Sequence, residues 1–471
     1  MRFVACLLMF VLMFSVFSFT FSFGGVALSQ RLIGDIDADS AVTVSDALKV
    51  LRIATKIDSC DKSELEILDV SGDGSVGIDD AIGLLRCSVG LIGSYGYTGV
   101  KLDYTLRDAS KNVKLTQEYI ENAVLNEGNP ARLARVMEKA ASGQTINIAT
   151  LGGSITEGYY ANNSNTCYAG RVAAWWRENF PNARVNFYNM GIAGTTSVLG
   201  VHRLEKDILN KNIDFLIVEF AVNDYEDMTP YYENIIRRAL SQDNDMAVMM
   251  AVSTTESKWT RQKEQLPVGQ AYQVPMISDH NVVWDLIDDG VYTWDELTSD
   301  DAHPNELGHT IYGEIICTYL DAVKAKYNRL SKVVPVIPEA IFGEDYMEAK
   351  LLTSKDIEAD SLGAWKVSSA INLRHISGGW RLEKRGKVLQ FTLKFKELNI
   401  LFPKMASDPN YGSVKVYVDG EEAKILDANF AGGWGDYYAV ENVYKSDEIK
   451  EHTVTFSYNG GKFDLLGLLV S

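Results

Sequence analysis

The chain has 471 residues, of which 46% are hydrophobic and 10% aromatic, so it is too long for one ordinary domain and too apolar for a disordered segment. A net charge of −18 argues against nucleic acid and anionic membrane surfaces as partners, because both are bound through basic patches. Five cysteines are too few for a disulfide-stabilised scaffold.

Residues 1–29 have the features of a secretory signal peptide. Arg2 precedes an apolar run at residues 4–23, and residues 27–29 form a small-x-small cleavage site. An uncleaved membrane anchor is the alternative, because the apolar run is about long enough to span a bilayer. We favour cleavage, which predicts a secreted, extracellular protein with no membrane attachment.

Residues 30–93 contain an internal repeat of two acidic loops, each followed by an apolar helical pattern. In both loops, oxygen-bearing side chains occupy the first, third, fifth and twelfth positions, the spacing with which an EF-hand loop wraps calcium. Two acidic turns arising by chance are the alternative, which the duplication disfavours. The candidate ligands are Asp35, Asp37, Asp39, Thr43 and Asp46 in the first loop and Asp69, Ser71, Asp73, Ser75 and Asp80 in the second.

The sixth loop position distinguishes the two copies. Gly74 suits the tight turn there, whereas Ser40 stands in its place in the first loop, which we therefore expect to bind calcium more weakly. The backbone carbonyls of Ala41 and Ser75 would serve as the seventh-position ligands.

This repeat resembles a type I dockerin, in which two calcium loops each lead into a helix, with Asp at the twelfth position. In that family the tenth and eleventh loop residues help to select the partner; here they are Val44-Ser45 and Ile78-Asp79. The two pairs differ from each other and from the Ser-Thr pair common in one group of dockerins. The resemblance implies two structural calcium ions, a cohesin domain of a scaffoldin as the partner, and attachment to a cellulosome.

Residues 94–114 are polar and contain glycine and tyrosine, which predicts a linker or an edge element. Helical and strand patterns then alternate within residues 115–330, which predicts a parallel sheet covered by helices on both faces, a three-layer α/β domain. Strands are predicted at 145–151, 184–189, 214–220 and 246–252, and helices at about 129–141, 168–180, 197–210, 230–241 and 305–326.

The first of these strands ends in two glycines followed by Ser154. Glycines let two backbone segments approach closely, and the serine hydroxyl would lie at the carboxyl edge of the sheet, where ligands bind in open α/β folds. Taken alone, this stretch is more typical of an ordinary turn with a serine helix cap, because such turns are common. The next two strands run into a glycine turn and into Asn223-Asp224, and a D-x-x-H pattern follows at residues 300–303.

These four blocks, in this order, resemble those of the SGNH (GDSL-type) hydrolases over roughly residues 129–330. The usual G-D-S-L block departs to Gly153-Ser154-Ile155, preceded by another glycine, and the usual G-x-N-D block begins with Ala221. Neither change removes a reacting atom.

The resemblance implies a serine esterase that needs no cofactor for catalysis. Ser154 would be the nucleophile, His303 the general base, and Asp300 the carboxylate that orients the imidazole, with Asp301 a weaker candidate for that role. The oxyanion donors would be the backbone N–H of Ser154, the backbone N–H of Gly194 and the side-chain amide of Asn223, and Gly191 competes with Gly194 as the second donor.

Residues 331–344 read as a connector, and residues 345–471 as an antiparallel β-sandwich. The alternating patterns at 388–393 and 414–418 predict strands, and Asp419-Gly420 is a strong hairpin signal. Five aromatic residues of this domain could stack on sugar rings, although core packing is their more common role. They are Trp365, Trp380, Trp434, Tyr437 and Tyr438. The domain could instead form a wall of the active site.

The combination predicts a secreted, cellulosomal carbohydrate esterase that deacetylates plant cell-wall polysaccharide, with acetylated xylan as the first candidate substrate and acetylated mannan as the second. A catalytically inactive, dockerin-borne carbohydrate-binding protein is one alternative, and an SGNH lipid or aryl esterase is the other. The chain lacks both the G-x-S-x-G elbow of α/β-hydrolases and an H-E-x-x-H zinc motif.

Overall fold

The computed structural model describes residues 31–433 and 435–471. The chain divides after Lys101 into two compact units. The predicted signal segment and Trp434 lie outside the described residues. Within the described ranges, no helix combines the length and apolar character needed to cross a bilayer.

The first unit consists of two helices that follow the two acidic loops, α1 (Val44–Ala54) and α3 (Ile78–Ser88), with a 3₁₀ turn (Lys62–Glu64) and a short helix, α2 (Leu65–Leu68), between them. The two long helices pack against each other through the buried residues Val50 and Leu84. Thr43 caps α1, and its hydroxyl accepts a hydrogen bond from the N–H of Ser45.

The second unit begins with an α/β domain built on a six-stranded sheet in the order β1-β6-β5-β4-β2-β3. Strands β2 to β6 are parallel, and the short edge strand β1 runs antiparallel to β6. This confirms the predicted α/β domain with a mostly parallel sheet. The strands are β1 (Val124–Asn126), β2 (Ile146–Gly152), β3 (Val185–Gly191), β4 (Phe215–Glu219), β5 (Ala247–Val252) and β6 (Met276–Ser278).

Helices cover this sheet, and β4 and β5 are buried along their whole length. The longer helices are α6 (Ala131–Ala141), α8 (Tyr168–Asn179), α9 (Ser197–Asp207), α10 (Thr229–Leu240), α11 (Gln262–Ala271), α12 (Asp279–Asp288) and α14 (Glu306–Lys324). The short ones are α4 (Asp108–Asn112), α5 (Gln117–Ala123), α7 (Ser154–Glu157) and α13 (Trp294–Leu297), with 3₁₀ turns at Leu209–Lys211 and Glu226–Met228.

The predicted linker at residues 94–114 needs a correction, because its second half belongs to the α/β unit. Helix α4 lies in this stretch, and the guanidinium of Arg107 contacts Glu314 at 3.0 Å and Asp321 at 2.7 Å on α14. Leu102 and Val113 are buried. These long-range ion pairs could not be read from a locally polar sequence.

The C-terminal region forms two antiparallel sheets around one apolar core, as the alternating patterns predicted. One sheet has the order β12-β11-β13-β10-β15-β7, and the other has the order β14-β9-β8. The strands are β7 (Lys350–Leu352), β8 (Trp365–Leu373), β9 (Ile376–Leu382), β10 (Leu389–Lys404), β11 (Ser413–Val418), β12 (Glu421–Asp427), β13 (Tyr437–Gly460), β14 (Phe463–Leu465) and β15 (Gly467–Val470).

Two of the five aromatic residues considered for sugar stacking are core residues. Trp365 and Trp380 are 3% and 0% exposed and pack against the phenylalanines of the sheet interior, so neither can contact a sugar. Tryptophan is common both on buried strand faces and in sugar-binding sites. The sequence alone therefore left both roles open.

A separate apolar cluster joins the α/β domain to the C-terminal β region. Ile192 and Leu199, which flank the turn after β3, pack with Leu351, Ile376 and Leu401 of the β region, and all five are at most 5% exposed. Burial of about five such side chains contributes on the order of 10 kcal/mol before entropy is deducted. The two parts of the second unit therefore share a core.

Candidate active site

Ser154 is the first residue of α7 and follows β2 after a two-glycine turn. A side chain at Gly153 would place its Cβ 2.3 Å from the Oδ1 atom of Asn223, and one at Gly152 would come within 2.5 Å of the carbonyl oxygen of Glu219. Only glycine permits this close approach, which brings the serine turn beside the turn that follows β4.

Ser154, His303 and Asp300 are brought together into a hydrogen-bonded relay. The Oγ atom of Ser154 lies 2.8 Å from Nε2 of His303, and Nδ1 of His303 lies 2.8 and 2.9 Å from the two carboxylate oxygens of Asp300. Ser154 is 7% exposed, so little of its side chain reaches solvent. These distances suit proton transfer from the hydroxyl to the imidazole.

Asp300 is held in its charged form by the loop that carries it. Partial burial acts to raise its pKa, but hydrogen bonds from the N–H groups of Ala302 and His303 and from the imidazole outweigh that effect, so the pKa lies below its ordinary value. The indole N–H of Trp294 donates to the Asp300 carbonyl at 2.8 Å and fixes the loop further. The carbonyl of Asp301, the weaker candidate, accepts a hydrogen bond from the N–H of Glu256, and among the described residues it is Asp300 whose carboxylate is hydrogen-bonded to His303.

The structure distinguishes between Gly191 and Gly194, the two candidates for the second oxyanion donor. The N–H of Gly191 already donates to Oδ1 of Asn189 at 2.9 Å. Gly194 has φ +69° and open space around its Cα, and no acceptor for its N–H occurs among the described residues. A donor without a protein partner is free to bind a developing oxyanion, which favours Gly194.

Asn223 and Ser154 supply the other two predicted donors. No described group accepts from Nδ2 of Asn223, and its buried Oδ1 atom has no hydrogen-bond partner. As the first residue of α7, Ser154 has no helical carbonyl one turn back for its own N–H. All three predicted oxyanion residues thus keep a donor available.

Buried carboxylates lie beneath these turns. Burial raises the pKa of Asp224 to about 7, although its carboxylate accepts a 2.8 Å hydrogen bond from the N–H of Ser197. Burial also raises the pKa of Glu219, whose oxygens accept from Ser253 and Thr156. Neither group contacts the relay directly, and both fix the turns that carry the donors.

A cleft of about 570 Å³ opens at the oxyanion turns and continues along the C-terminal β region. Gly194 and Asn223 line its near end, and Tyr437 and Tyr438 of β13 line its far wall. Of the predicted sugar-stacking residues, these two tyrosines are therefore placed at a cleft. The β region therefore forms a wall of the site. This is one of the two roles expected from its sequence, the other being sugar stacking.

Several residues around the relay carried no recognisable signal in the sequence. The rings of Tyr159 and Tyr160 approach the imidazole of His303 to within 4.9 and 5.8 Å between centroids, and both side chains are about half exposed. His309 is buried and accepts from the N–H of Tyr168 at 3.4 Å, which explains why a second histidine so near in sequence is not a second base.

The first predicted calcium loop brings three of its acidic residues together. Carboxylate oxygens of Asp35, Asp37 and Asp39 all lie within 4.8 Å of one another, a donor set that suits a hard cation. The twelfth-position residue, Asp46, is 1% exposed and accepts from the N–H of Ile36 at 2.9 Å and of Thr43 at 2.8 Å.

As in the first loop, acidic side chains of the second loop accept hydrogen bonds from its backbone N–H groups, and in the second loop glycines stand at the turn positions. Asp69 accepts from the N–H groups of Gly72 and Gly74, and Ser71 donates to Asp69 at 3.1 Å. Its twelfth residue, Asp80, is fully buried and accepts from two N–H groups, as Asp46 does. Asp73 accepts from both the N–H and the hydroxyl of Ser75. The four predicted partner-binding residues, Val44, Ser45, Ile78 and Asp79, are exposed on the first turns of α1 and α3.

Comparison with known proteins shows what the segment that carries the relay is similar to. Residues 150–311 match the GDSL-like Lipase/Acylhydrolase family. The chain is also similar to two crystal structures of a two-domain esterase (CEX) active on acetylated mannans, one of them co-crystallised with mannopentaose. Those chains are 28% and 29% identical to it, with TM-scores of 0.69 and 0.70; each match covers 75% of this chain and 97% or 98% of the esterase. No curated protein matches the sequence.

The Asn223→Ala variant should test the side-chain oxyanion donor. Loss of one such donor is expected to lower kcat on an aryl acetate by about 100- to 1,000-fold with little change in KM, because the contact forms only in the transition state. Steady-state kinetics measure both constants. Asn459→Ala, at an exposed asparagine of β13, should retain the wild-type kcat, and an Asn223→Ala kcat equal to that of wild type would exclude Asn223 as a donor.

Asp224→Asn should change how stability depends on pH. The carboxyl has a pKa of about 7 when folded against an ordinary 3.8, so the folded state holds its proton more tightly. Below about pH 4 both states are protonated. As pH rises from about 4 to 7 the unfolded chain loses the proton first, and the free energy of unfolding falls.

The variant lacks this loss and should gain stability relative to wild type between pH 4 and pH 7, with no further gain above pH 7. Urea denaturation midpoints at pH 4, 6 and 8 measure the difference. Asp243→Asn, at an exposed aspartate, should show no such trend, and a difference between Asp224→Asn and wild type that stays constant with pH would contradict the burial argument.

Proposed function

We propose that this chain, a serine esterase with a GDSL-type catalytic domain, removes acetyl groups from acetylated plant cell-wall polysaccharide. Acetylated mannan is the first candidate substrate. The observation that carries the proposal is a complete serine–histidine–aspartate relay that lies beside an open, polar cleft walled by two domains. Ester hydrolysis needs the relay, and a polymer needs the open cleft.

The geometry gives each group a step in the reaction. The Oγ atom of Ser154 attacks the acetyl carbonyl while Nε2 of His303 takes the hydroxyl proton, and Asp300 stabilises the imidazolium. The oxyanion of the tetrahedral intermediate accepts hydrogen bonds from Gly194 and Asn223. His303 then protonates the departing sugar oxygen, and the acetyl group stays bound to the Oγ atom of Ser154. A water molecule, deprotonated in turn by His303, attacks this acetyl-serine; acetate leaves as His303 returns the proton to Ser154.

The lining of the cleft supports a sugar substrate over a lipid. Tyrosine rings stack on pyranose faces, and the carboxamide of Asn442 and the carboxylate of Glu441 can bind hydroxyl groups. A long acyl chain would need an apolar channel, and the wall formed by Tyr437 and Tyr438 with these two polar residues does not provide one. Exposed Tyr225 and Trp259, whose ring centroids lie 5.9 Å apart, extend the aromatic surface beside the cleft.

Mannan is placed ahead of xylan, the reverse of the order expected from the sequence. The reason is that the similar two-domain esterase, active on acetylated mannans, is matched over 97–98% of its length, so the likeness includes its second domain. Xylan is retained as the competing polymer, since the sugar-facing residues have no feature that excludes a pentose backbone.

For the N-terminal unit, we propose a calcium-dependent docking module of the dockerin type, which binds a cohesin domain and attaches the secreted enzyme to a cellulosome. The repeated loops support two calcium sites. In the first loop Ala38 and Ser40 have φ +60° and +72°, and in the second the matching residues Gly72 and Gly74 have φ +79° and +90°. The left-handed backbone costs about 1–2 kcal/mol for each residue that has a Cβ, so the first site should be the weaker one.

The outer faces of α1 and α3 support the choice of a protein partner. Residues in matching positions of the two helices expose apolar side chains, and their exposed fractions range from 38% to 57%. Exposed apolar residues that adjoin one another on a small unit are typical of an interaction surface. We name this set the apolar strip: Val44, Leu48, Leu51, Ile78, Ile82 and Leu85.

Acetate release tests the catalytic proposal. Purified wild-type protein should release acetate from acetylated mannan faster than from acetylated xylan at equal acetyl concentration. Ser154→Ala should abolish release from both, because it removes the nucleophile. Ser164→Ala, at an exposed serine of the loop before α8, should behave as wild type.

Each other outcome overturns a specific part of the proposal. Faster release from xylan would reverse the substrate order. Cleavage of a small aryl acetate without release from either polymer would leave the relay intact and exclude the polysaccharide substrate. Release by Ser154→Ala would exclude Ser154 as the nucleophile.

Binding to an immobilised type I cohesin tests the docking proposal. The full chain should be retained in calcium and released by a chelator, because the loops orient α1 and α3. Asp69→Ala should weaken retention by about tenfold or more, since it removes a charged ligand from the stronger site. Glu66→Ala, at an exposed acidic residue between the loops, should not weaken it.

Calorimetric titration with calcium separates the two parts of this proposal. Two bound calcium ions without retention on any type I cohesin would exclude that partner and leave the metal sites. Failure to bind calcium would exclude both.

A further inference from the structure

The hairpin between β8 and β9 of the C-terminal region lies against the catalytic turns. Its two-residue turn is Arg374-His375, and Nε2 of His375 lies 3.1 Å from the carbonyl oxygen of Asn189 on β3. Arg374 has φ +47°, a left-handed conformation that is unfavourable for a residue with a long side chain. A two-residue hairpin turn requires a left-handed residue, so this conformation belongs to the turn itself.

Arg374 reaches from the β region to the helix that begins with the nucleophile. Its Nη1 atom lies 3.0 Å from Oε1 of Glu157, the last residue of α7, and the two side chains are only 27% and 32% exposed. The other carboxylate oxygen of Glu157 accepts a 2.7 Å hydrogen bond from the backbone N–H of Ala193. One carboxylate therefore links the arginine to the residue just before Gly194.

Several contacts hold the turn that carries Gly194: the hydroxyl of Thr195 donates to the Ile192 carbonyl, and the N–H of Ser197 donates to Asp224. Ile192 and Leu199 anchor its two ends in the apolar cluster shared with the β region. Between these anchors, the bond from Ala193 to Glu157 is the contact that joins the turn to the nucleophile helix. The position of the Glu157 carboxylate therefore helps to set the direction of the Gly194 N–H.

We propose that Arg374 is a positioning residue of the oxyanion hole: through Glu157 and the Ala193 N–H, it sets the orientation of the Gly194 N–H relative to Ser154. This inference rests on the proposed function, because it assumes ester cleavage by Ser154 with Gly194 as a donor. Among the described residues, the Arg374 side chain forms an ion pair with Glu157 and none with the relay or with the residues that line the cleft.

The arginine matters because the carboxylate has a competing environment. Without its cation, the partly exposed Glu157 side chain can turn toward water, and the Ala193 N–H then loses its acceptor. A partly exposed ion pair of this kind adds little to global stability, so the main effect of its loss should be on catalysis. A donor displaced by a fraction of an ångström stabilises the transition state less while substrate binding is unchanged.

The test is a set of Arg374 variants assayed on two substrates, a small aryl acetate and acetylated mannan. Arg374→Met should lower kcat by about tenfold on both, with KM unchanged, because the defect lies in the oxyanion hole and not in sugar binding. Arg374→Lys, which keeps the cation, should recover part of the loss. Arg385→Met, at an exposed arginine before β10, should leave both constants at wild-type values.

Glu157→Gln completes the argument, since it keeps an acceptor for Ala193 but removes the charge that binds Arg374. If the arginine acts through this carboxylate, Glu157→Gln combined with Arg374→Met should lose no more activity than the more impaired single variant. Thermal unfolding of each variant should stay close to wild type, which separates a positioning defect from misfolding.

Three results would overturn the inference. They are an unchanged kcat in Arg374→Met on the aryl acetate, a loss confined to the polymer, and additive losses in the double variant. A loss confined to mannan would indicate a direct sugar contact. Because the aryl acetate reports on the oxyanion hole alone, failure of wild type on mannan would refute the substrate proposal and leave this one standing. Failure of wild type on both substrates would refute both.

Discussion

The parallel register of three strands is the constraint on which the rest of the site depends. Gly152, the last residue of β2, is paired with Gly191 at the end of β3 and with Glu219 at the end of β4. The turns that carry the nucleophile and the oxyanion donors therefore start at one level of the sheet. Because the glycines allow the first and third of these turns to touch, Ser154 and Asn223 become neighbours although far apart in sequence.

The level of the turns also explains the carboxylates beside them. A backbone that leaves the sheet so abruptly exposes N–H groups that no strand partner can satisfy, and carboxylates accept them instead. Asp224 accepts from Ser197 at the start of α9, and Glu157 accepts from Ala193. Each carboxylate costs desolvation energy and fixes a turn in return.

How much of this could be read from the sequence depended on the range of the interactions. The central strands were predicted to within about two residues because their apolar runs are continuous, whereas β1 and β6 escaped because three residues give no periodicity. The relay followed from motif order, and the structure brings its three residues together. The choice between Gly191 and Gly194 as the oxyanion donor could not be made from the sequence. It depends on which of the two N–H groups already has an acceptor, and that is known only from the packed structure.

Long-range pairs were invisible for the same reason. Nothing near Glu157 in sequence indicates that a hairpin more than two hundred residues later supplies its cation, and nothing near Arg107 indicates that α14 binds it. The dockerin assignment stays a prediction; in the first of its loops the carboxylates of Asp35, Asp37 and Asp39 lie close together. The aromatic residues of the β region could be sorted into core and cleft only from their burial.

The shared apolar cluster has a consequence for how such enzymes can diversify. A β domain that merely carried a binding surface could be exchanged between esterases without altering the chemistry. Here Ile192 and Leu199 are buried by residues of the β region, so a transplanted domain would expose them unless it brought a matching surface. The α/β domain and the β region should therefore be inherited as one piece, and recombination that creates new architectures should cut the chain elsewhere.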